Sequence, residues 1–248
     1  MIAKDLTVLG VGVNIVSEIE LLDHIKETIQ KDQKKIFAYI TAHAVNLARK
    51  HGWFRDFLNS ADVAYADGEG IRWASWILGR KIPKTIALTR WIWDLCEYCE
   101  KNQFSIFFLG SEETTVAKAV ARLQERFPAL KIAGWHHGFF EKQGPENESV
   151  ITTINTSGAQ LLLVGFGMPL QEQWIRENIE RLQVNLFLPA GSCFEYTAGV
   201  KKTCPRWLSR IGFEWLFRFF QEPGRLFTRY FIGNPRFLLC VLADRLRR

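Results

Sequence analysis

Asp67 is the residue of this chain whose setting best suits acid–base chemistry. It directly follows the short apolar run 63–66 and precedes Gly68 and Gly70. Glycines let a ligand approach the backbone closely, and a general base needs a carboxylate held at a strand end, near the core but not inside it. The same pattern is typical of a turn aspartate that caps the next helix. The residue types leave both interpretations open.

A second candidate is the segment 165–172, GFGMPLQE, at the point where a predicted strand leads into a helix. Gly165 and Gly167 open space ahead of Gln171, and the free N–H groups of a new helix can bind a phosphate. The motif is neither a complete dinucleotide fingerprint nor a Walker loop, and many such turns need glycine for packing alone. The same two interpretations apply to Gly110, which ends another apolar run.

Thr41 and His43 end a third predicted strand, where His43 either contacts a ligand or is a structural histidine with satisfied hydrogen bonds. Metal ligands are not evident: no Asp-x-Asp pair lies in a suitable loop, and Cys96-x-x-Cys99 has no second pair. The segment 136–140, HHGFF, has no acidic partner at ligand spacing and is predicted as a loop beside a ligand or as a packed turn. We expect neither a metal nor another cofactor.

The segment 201–248 combines positive charge with aromatic side chains. It holds eleven Lys and Arg residues against three acidic ones, a net charge of +8, whereas the whole chain carries +6. Arginine pairs with phosphate, and aromatic rings settle between lipid headgroups and acyl chains. This composition indicates an anionic, lipid-associated target. A core-facing stripe is the alternative, because Trp207, Ile211, Trp215 and Phe219 recur at helical spacing.

Short apolar runs alternate with amphipathic segments over residues 1–200, which predicts an α/β fold with a mainly parallel sheet flanked by helices. Such sheets bind ligands at the carboxyl ends of their strands, where the candidates above are expected. Residues 201–248 are predicted to form a separate basic, aromatic, helical appendage. The predicted strands are 6–16, 35–41, 63–66, 104–109, 131–135, 161–165 and 185–189. The predicted helices are 18–31, 44–59, 72–78, 89–102, 112–127, 149–156, 169–182, 207–221, 223–232 and 235–248.

Cysteine content and hydropathy limit the cellular setting. Five cysteines, an odd number without a ligand pattern, favour free thiols in a reducing compartment. The first residues lack the continuous apolar core of a signal peptide, and no stretch is apolar enough to span a bilayer. We expect a cytoplasmic protein that associates peripherally with the inner face of the cell membrane.

Three segments together resemble the WecG/TagA/CpsF family of glycosyltransferases, and the likeness covers nearly the whole chain. They are residues 162–175 (LLVGFGMPLQEQWI), residues 205–235 of the tail and the turn Asp67-Gly68-x-Gly70. The resemblance implies an inverting, metal-independent enzyme of cell-surface polysaccharide synthesis. It would move N-acetylmannosamine or a related hexose from a UDP-sugar to a polyprenyl-diphosphate-linked sugar. It also implies a Rossmann-like catalytic core over 1–200 and a membrane-docking, acceptor-binding appendage over 201–248.

The resemblance also implies roles for individual residues. Asp67 takes the role of base, Gln171 lies at the active site, and Thr41 matches a threonine at the end of the second long strand. Arginines of the appendage are expected to hold the acceptor diphosphate, and by position we choose Arg218, Arg225 and Arg229. The expected substrate-binding residues are Thr41, His43, Thr89, Asp94, Gly110, Gly165, Gly167, Gln171 and Glu195.

Three departures from the family pattern leave the donor sugar open while keeping the reaction type. His43 stands where the family usually has Asn, and Glu195 stands where it usually has Asp. The segment 88–95, LTRWIWDL, replaces a T-G-x-D-L motif and keeps Thr89 and Asp94.

Other function classes remain as alternatives. A membrane- or nucleic-acid-binding protein with a non-catalytic Rossmann-like core would explain the tail but would leave Asp67 and Gln171 without a role. A dinucleotide-dependent oxidoreductase is disfavoured, because Gly10-x-Gly12 has no third glycine in register. We expect a UDP-sugar and a lipid-linked sugar as partners and no nucleic acid, and the sequence leaves homo-oligomer formation open.

Overall fold

The computed structural model describes residues 3–205, 208 and 212–247. The strands are β1 (Leu6–Val8), β2 (Val11–Val13), β3 (Lys35–Ile40), β4 (Val63–Ala66), β5 (Ser105–Gly110), β6 (Lys131–His136), β7 (Leu161–Gly165) and β8 (Leu186–Pro189). The helices up to residue 200 are α1 (Glu18–Gln30), α2 (Ala42–Lys50), α3 (Gly52–Ser60), α4 (Glu69–Ile77), α5 (Leu88–Asn102), α6 (Glu113–Arg126), α7 (Gly144–Thr156), α8 (Leu170–Asn178) and α9 (Cys193–Thr197). The tail contains α10 (Glu214–Gln221), α11 (Pro223–Phe227), a π-helix (Thr228–Gly233) and α12 (Asn234–Arg247).

Six strands form a parallel sheet in the order β4-β3-β8-β7-β5-β6. Strands β7 and β8 are buried along their whole lengths, as strands covered by helices on both faces must be. Their pairing runs from Leu161 opposite Leu186 to Val164 opposite Pro189. The predicted α/β, Rossmann-like fold with helices around a parallel sheet is confirmed.

The prediction of a single strand over 6–16 is wrong. Strands β1 and β2 instead form an antiparallel hairpin with Leu6 opposite Val13. The chain reverses at Leu9 and Gly10, whose φ angles are 50° and 85°. Two successive positive φ values give the turn whose twist suits tight hairpins, and glycine adopts one of them without steric cost.

The prediction of one helix over 44–59 is also wrong, because the segment folds as α2 and α3. His51 lies between them in an extended conformation, with φ of −125° and ψ of 104°. Gly52, which follows, is a weak helix former. The break lets α3 bury Phe54, Phe57 and Leu58. Strands β4 and β7 occur with the predicted bounds, the other predicted elements of 1–200 occur with shifted ends, and the short helix α9 is an addition to them.

The structure contains two compact units. The first comprises Met1–Ile15, Tyr39–Ile86 and Lys201–Arg248. Within this unit α12 packs against α4 and α2 and buries Phe237 and Val241. The side chain of Asn46 on α2 donates a hydrogen bond of 2.9 Å to the carbonyl oxygen of Gly233. The tail is therefore fastened to the helix that follows β3.

The tail helices differ from their predicted extents. Helix α10 begins at Glu214, and Trp207 and Ile211 of the predicted stripe lie outside the described residues. The segment 223–232 was predicted as one helix, but it consists of α11 followed by the π-helix. In a π-helix each hydrogen bond spans one residue more than in an α-helix. This form is rare and often occurs at functional sites. Among the helices that the structure describes, none is both long and apolar enough to cross a membrane.

The second unit comprises Val16–Ala38 and Ala87–Val200. The predicted N-cap Ser17 is confirmed: its hydroxyl accepts from the backbone N–H of Glu20, whose carboxylate accepts from the N–H of Ser17. Three buried free thiols, Cys96, Cys99 and Cys193, lie on α5 and α9. Burial raises the pKa of Cys193 to about 12, so this thiol is an inert core group near neutral pH.

Candidate functional site

Asp67 lies directly beyond β4, all four residues of which are buried. Its backbone N–H donates to the carbonyl oxygen of Ile40 at 2.9 Å, so the residue still follows the line of the sheet. The N-cap of α4 is Gly68, with φ of 81°, which rules out Asp67 as the N-cap residue of that helix. A Cβ atom at Gly68 would meet no other atom within 4 Å. The aspartate therefore has the strand-end position that a general base requires, beside open space.

Gly70 serves packing and not ligand access, contrary to the interpretation drawn from its spacing. A Cβ atom at this position would lie 2.9 Å from the Cβ of Ala42 and 4.0 Å from the ring of Phe237. Only a residue without a side chain lets the first turns of α4 and α2 approach so closely. The two glycines after Asp67 therefore have different physical roles.

Thr41 is the N-cap of α2, and its hydroxyl oxygen accepts a hydrogen bond of 3.0 Å from the N–H of Ala44. This bond satisfies one of the free N–H groups at the helix start. The hydroxyl retains its own proton for donation. Thr41 thus has a structural role, and the proposed role in substrate binding is compatible with it.

His43 is half-buried in the first turn of α2 and has no hydrogen-bond partner for its ring among the residues the structure describes. Burial lowers the pKa of His43 to about 4, and the positive charges of Arg229, Arg225 and Lys50 contribute to this. The imidazole is consequently neutral at pH 7, with one nitrogen that donates and one that accepts. A role of His43 in contact with a ligand stays a prediction.

Arg229 of the π-helix interacts electrostatically with Asp67, the candidate base. Burial lowers the pKa of Arg229, Arg218 acts in the same direction, and Tyr230, Tyr39 and Asp67 act in the opposite direction. A guanidinium remains charged throughout the biological pH range. In the first unit, Arg229 therefore interacts electrostatically with both Asp67 and Arg218.

Arg225 forms an ion pair with Glu222. It is exposed on α11, and its Nε atom donates to the carboxylate of Glu222 at 3.0 Å. Lys201 also contacts that carboxylate, at 3.2 Å. Arg225 still affects His43 electrostatically, so it belongs to the same positive surface but carries its own counter-charge.

In the second unit, Gln171 connects two turns that follow neighbouring strands. Its side-chain oxygen accepts from the N–H of Gly167 at 3.2 Å and from the N–H of Gly191 at 2.9 Å. Its Nε2 donates to Oε1 of Glu172 at 2.7 Å. The turn after β7 and the turn after β8 are therefore held together by one buried amide.

Glu172 is a buried carboxyl group whose two oxygens have different surroundings. Its Oε1 accepts from Gln171, whereas its Oε2 has no hydrogen-bond partner within the described part of the chain. Burial raises the pKa of Glu172 to about 7, and the bond from Gln171 opposes this only partly. The group is thus partly protonated near neutral pH. The sequence motif contains Glu172, but no role was predicted for it.

Gly110 and Gly165 are required by close packing of adjacent turns. A Cβ atom at Gly110 would lie 2.4 Å from the carbonyl oxygen of Gly165, and one at Gly165 would lie 2.9 Å from the ring of Phe194. Gly167, in contrast, has open space around it. The packing interpretation fits the first two glycines, and access for a ligand fits only the third.

The remaining predicted residues of this unit divide into two groups. The turn after β8 leads into α9, which carries Glu195, and the Sγ of Cys193 lies 3.6 Å from the carbonyl oxygen of Leu88. Thr89, at the start of α5, is thereby brought to α9. Asp94 is exposed and lies five residues further along α5, about 140° away around the helix axis. The structure brings Thr89 to this turn, and the role of Asp94 stays a prediction.

Lys142 is a residue that sequence reasoning missed. Its ammonium group donates to the carbonyl oxygens of Gly138 and Phe140, both at 2.7 Å, and lies over the rings of Phe140 and Phe166. Burial lowers the pKa of Lys142. The N–H of Gly138 donates to Ser111 at 2.7 Å, so residues 136–140 form a packed turn. Because Phe166 is distant in sequence, no local pattern marked this lysine.

In the residues that the structure describes, no three His, Cys, Asp or Glu side chains converge as a metal site would require.

The sequence model of the glycosyl transferase WecG/TagA/CpsF family matches residues 6–248. The chain belongs to this family. A protein of Staphylococcus aureus (strain MW2), named N-acetylglucosaminyldiphosphoundecaprenol N-acetyl-beta-D-mannosaminyltransferase, is 26% identical over 221 residues, which cover 88% of this chain and 85% of the relative. The protein of the same name from strain NCTC 8325 / PS 47 is 27% identical over 213 residues, 85% of this chain and 82% of the relative. The resemblance noted in the sequence is confirmed, and the chain is a glycosyltransferase of the WecG/TagA/CpsF family.

In this WecG/TagA/CpsF glycosyltransferase, the neutral state of His43 should be visible in acid unfolding. In the unfolded chain His43 takes up a proton near its ordinary pKa of 6.5, whereas the folded chain resists protonation until about 4, so stability is lost as the pH falls through this window. Between about pH 7 and about pH 5, wild type should lose about 2 kcal/mol of unfolding free energy relative to His43→Asn. Urea unfolding at both pH values measures this. Replacement of the exposed His51 by Asn controls for loss of a histidine, and parallel pH dependences of wild type and His43→Asn would contradict the assignment.

Proposed function

We propose that the protein transfers N-acetylmannosamine or a related hexose from a UDP-sugar to a sugar carried on polyprenyl diphosphate, with inversion and without a metal ion, in cell-surface polysaccharide synthesis. Family membership supports the glycosyl transfer. The names of the Staphylococcus aureus relatives, which specify an N-acetyl-β-D-mannosaminyl group and a diphosphoundecaprenol-linked N-acetylglucosamine, support the two sugars and the lipid.

The observation that carries the proposal is membership of the glycosyltransferase family. A transferase of this kind needs a base for the acceptor hydroxyl and cations for the acceptor diphosphate. In the first unit the two candidates, Asp67 and Arg229, interact electrostatically, and Arg218 also acts on Arg229.

In the proposed reaction the carboxylate of Asp67 takes the proton from the acceptor hydroxyl as its oxygen attacks the anomeric carbon of the donor. The bond from that carbon to the UDP oxygen breaks on the opposite face, so the configuration inverts and UDP leaves. Arg218, Arg225 and Arg229 hold the acceptor diphosphate, because guanidinium groups bind phosphate oxygens in a bidentate manner. Thr41 and the neutral ring of His43 donate to or accept from sugar hydroxyls.

We assign the UDP moiety to the second unit. The start of α8 and the open turn at Gly167 offer N–H groups suited to a diphosphate, and the buried amide of Gln171 holds that turn in place. The turns shaped by Gly110 and Gly165 set the backbone there, and Thr89 and Glu195 complete the proposed donor residues. Asp94, which faces a different side of α5, remains the weakest assignment.

The tail is proposed to dock the enzyme peripherally on the cytoplasmic face of the membrane. Phe220, Phe227, Phe231 and Ile232 are exposed on α10, α11 and the π-helix. Behind them Trp215 packs edge-on against Phe231, with ring centres 6.1 Å apart. Exposed aromatic rings next to arginines are the arrangement that enters the headgroup region of anionic bilayers. The alternative of a non-catalytic membrane- or nucleic-acid-binding protein is not favoured, because the chain belongs to a glycosyltransferase family.

Replacement of Asp67 by Asn should lower kcat by about 10²–10⁴-fold, the usual effect of losing a general base. UDP affinity and the thermal midpoint should stay close to those of wild type, because the shape of the side chain is kept. The assay would follow glycosyl transfer to a short-chain polyprenyl-diphosphate sugar by mass, in the presence of EDTA. Asp56→Asn, at an exposed position beside Arg55, is the matched control. Near-complete turnover by folded Asp67→Asn would remove the base assignment.

Replacement of Arg229 by Gln should raise KM for the lipid-linked acceptor by about tenfold or more, since hydrogen bonds between charged groups contribute about 1.5–3 kcal/mol. KM for the donor should change by less than about twofold if the loss is confined to acceptor binding. Arg236→Gln, at an exposed position on α12, is the control. Equal loss of donor and acceptor binding would instead indicate a structural role for Arg229.

The double replacement of Phe220 and Phe227 by Ser should weaken binding to vesicles that contain anionic phospholipid by about tenfold or more, because both rings are removed from the proposed apolar contact. These side chains are 73% and 53% exposed, so the fold should tolerate the change. Phe139→Ser, at a position of the second unit that is also 73% exposed, is the matched control. Vesicle co-sedimentation measures the effect, and unchanged sedimentation of the double variant would count against docking through the tail.

A further inference from the structure

We propose that Glu172 is a positioning residue, which fixes the orientation of the Gln171 amide so that one oxygen holds the turns after β7 and β8 in the shape that binds UDP. The role of these turns in UDP binding rests on the function proposed above, whereas the positioning itself rests on hydrogen bonds within the second unit.

The geometry determines which way the Gln171 amide faces. Two N–H donors, those of Gly167 and Gly191, lie on one side of the amide at 3.2 and 2.9 Å, and the acceptor Oε1 of Glu172 lies on the other side at 2.7 Å. Rotation of the amide by half a turn would place its NH₂ group against two donors and its oxygen against a carboxyl oxygen. All three hydrogen bonds would be lost together.

Burial makes any other orientation of the Gln171 amide energetically costly. Gln171 is 0% exposed and Glu172 is 1% exposed, so water does not readily replace a lost partner. A buried polar group that loses its partner bears the full desolvation penalty, and linked buried hydrogen bonds strengthen one another. Removal of the Glu172 carboxyl therefore destabilises the amide orientation, although Glu172 itself contacts neither glycine.

The Gln171 oxygen joins the two turns directly, because it accepts from the N–H of Gly167 in one and from the N–H of Gly191 in the other. The N–H of Ala190 also donates to the carbonyl oxygen of Val164 at 2.7 Å, which ties the start of the turn after β8 to strand β7. Gly167 itself has open space around it, so side-chain packing does not fix its position, and the Gln171 oxygen contributes directly to the spacing of the two turns. Glu172 acts on the two turns through the Gln171 amide. Its pKa of about 7 is compatible with this role, because a carboxyl group can accept the hydrogen bond from Gln171 in either protonation state.

Three variants test the proposal, with amide hydrogen exchange at Gly167 and Gly191 and UDP affinity as separate measurements. Glu172→Leu should raise exchange at both glycines and weaken UDP binding, each by about tenfold or more. Glu172→Gln, which keeps a carbonyl oxygen as acceptor, should stay within about threefold of wild type. Glu177→Leu, at an exposed position on the same helix, is the matched control and should change neither quantity.

Gln171→Met removes the amide while leaving Glu172 in place. It should reproduce the exchange increase of Glu172→Leu, and adding Glu172→Leu to it should produce no further loss of UDP affinity, because Glu172 acts only through the amide. If Glu172→Leu fails to fold, amide exchange in Gln171→Met still tests whether the amide holds the two turns.

Unchanged exchange at the two glycines in Glu172→Leu or Gln171→Met would overturn the positioning role. Additive losses of UDP affinity in the double variant would overturn it as well, because Glu172 would then act independently of Gln171. If wild type showed no affinity for UDP, the proposed function would fail, whereas the exchange measurements would still support or refute the hydrogen-bond network. The failures of the two proposals are therefore distinguishable.

Discussion

The charge on Arg229 is the constraint on which the first unit depends. A half-buried guanidinium cannot shed its proton and needs compensation from nearby anions or dipoles. Asp67, Tyr39 and Tyr230 favour its charged form, whereas Arg218 opposes it. Burial and the positive charge of Arg218 both disfavour the charged form of Arg229, and an incoming diphosphate would favour it. The proposed acceptor diphosphate would thus bind next to a guanidinium whose charge it stabilises.

The protonation state of His43 follows from that charge balance. A further positive charge beside Arg229 and Arg225 would be costly, and burial adds to the cost, so the ring stays neutral near pH 7. A neutral ring can both donate and accept hydrogen bonds, as the asparagine expected from the family pattern also does. The substitution at this position therefore changes the size and shape of the group more than its hydrogen-bonding character, which is consistent with an effect on sugar choice and not on the reaction.

The parts of this structure that the sequence could predict are those set by local pattern. Strand β7 was predicted to the residue, because an apolar run that ends in glycine has few alternatives when both faces are covered. The hairpin at Leu9 and the break at His51 escaped prediction, since backbone angles there depend on packing against other elements. Gly68 and Gly70 look alike in the sequence, and only the approach of Ala42 separates their roles. Likewise, three arginines were equivalent by position, and the fold distinguishes Arg225, which is paired with Glu222.

The motif around Gln171 shows why adjacent residues can have different kinds of function. Gln171 and Glu172 are both in the first turn of α8, where the helix dipole favours a negative charge. Burial nevertheless raises the pKa of Glu172 to about 7, so desolvation outweighs the dipole. A carboxylate placed only to bind a cation or to cap the helix would be more exposed or fully paired. A carboxyl group that is buried, has one partner and sits next to the amide it accepts from fits a different task, which is to hold that amide in a single orientation. The motif then encodes both the buried amide that joins the two turns and the neighbour that keeps this amide in place.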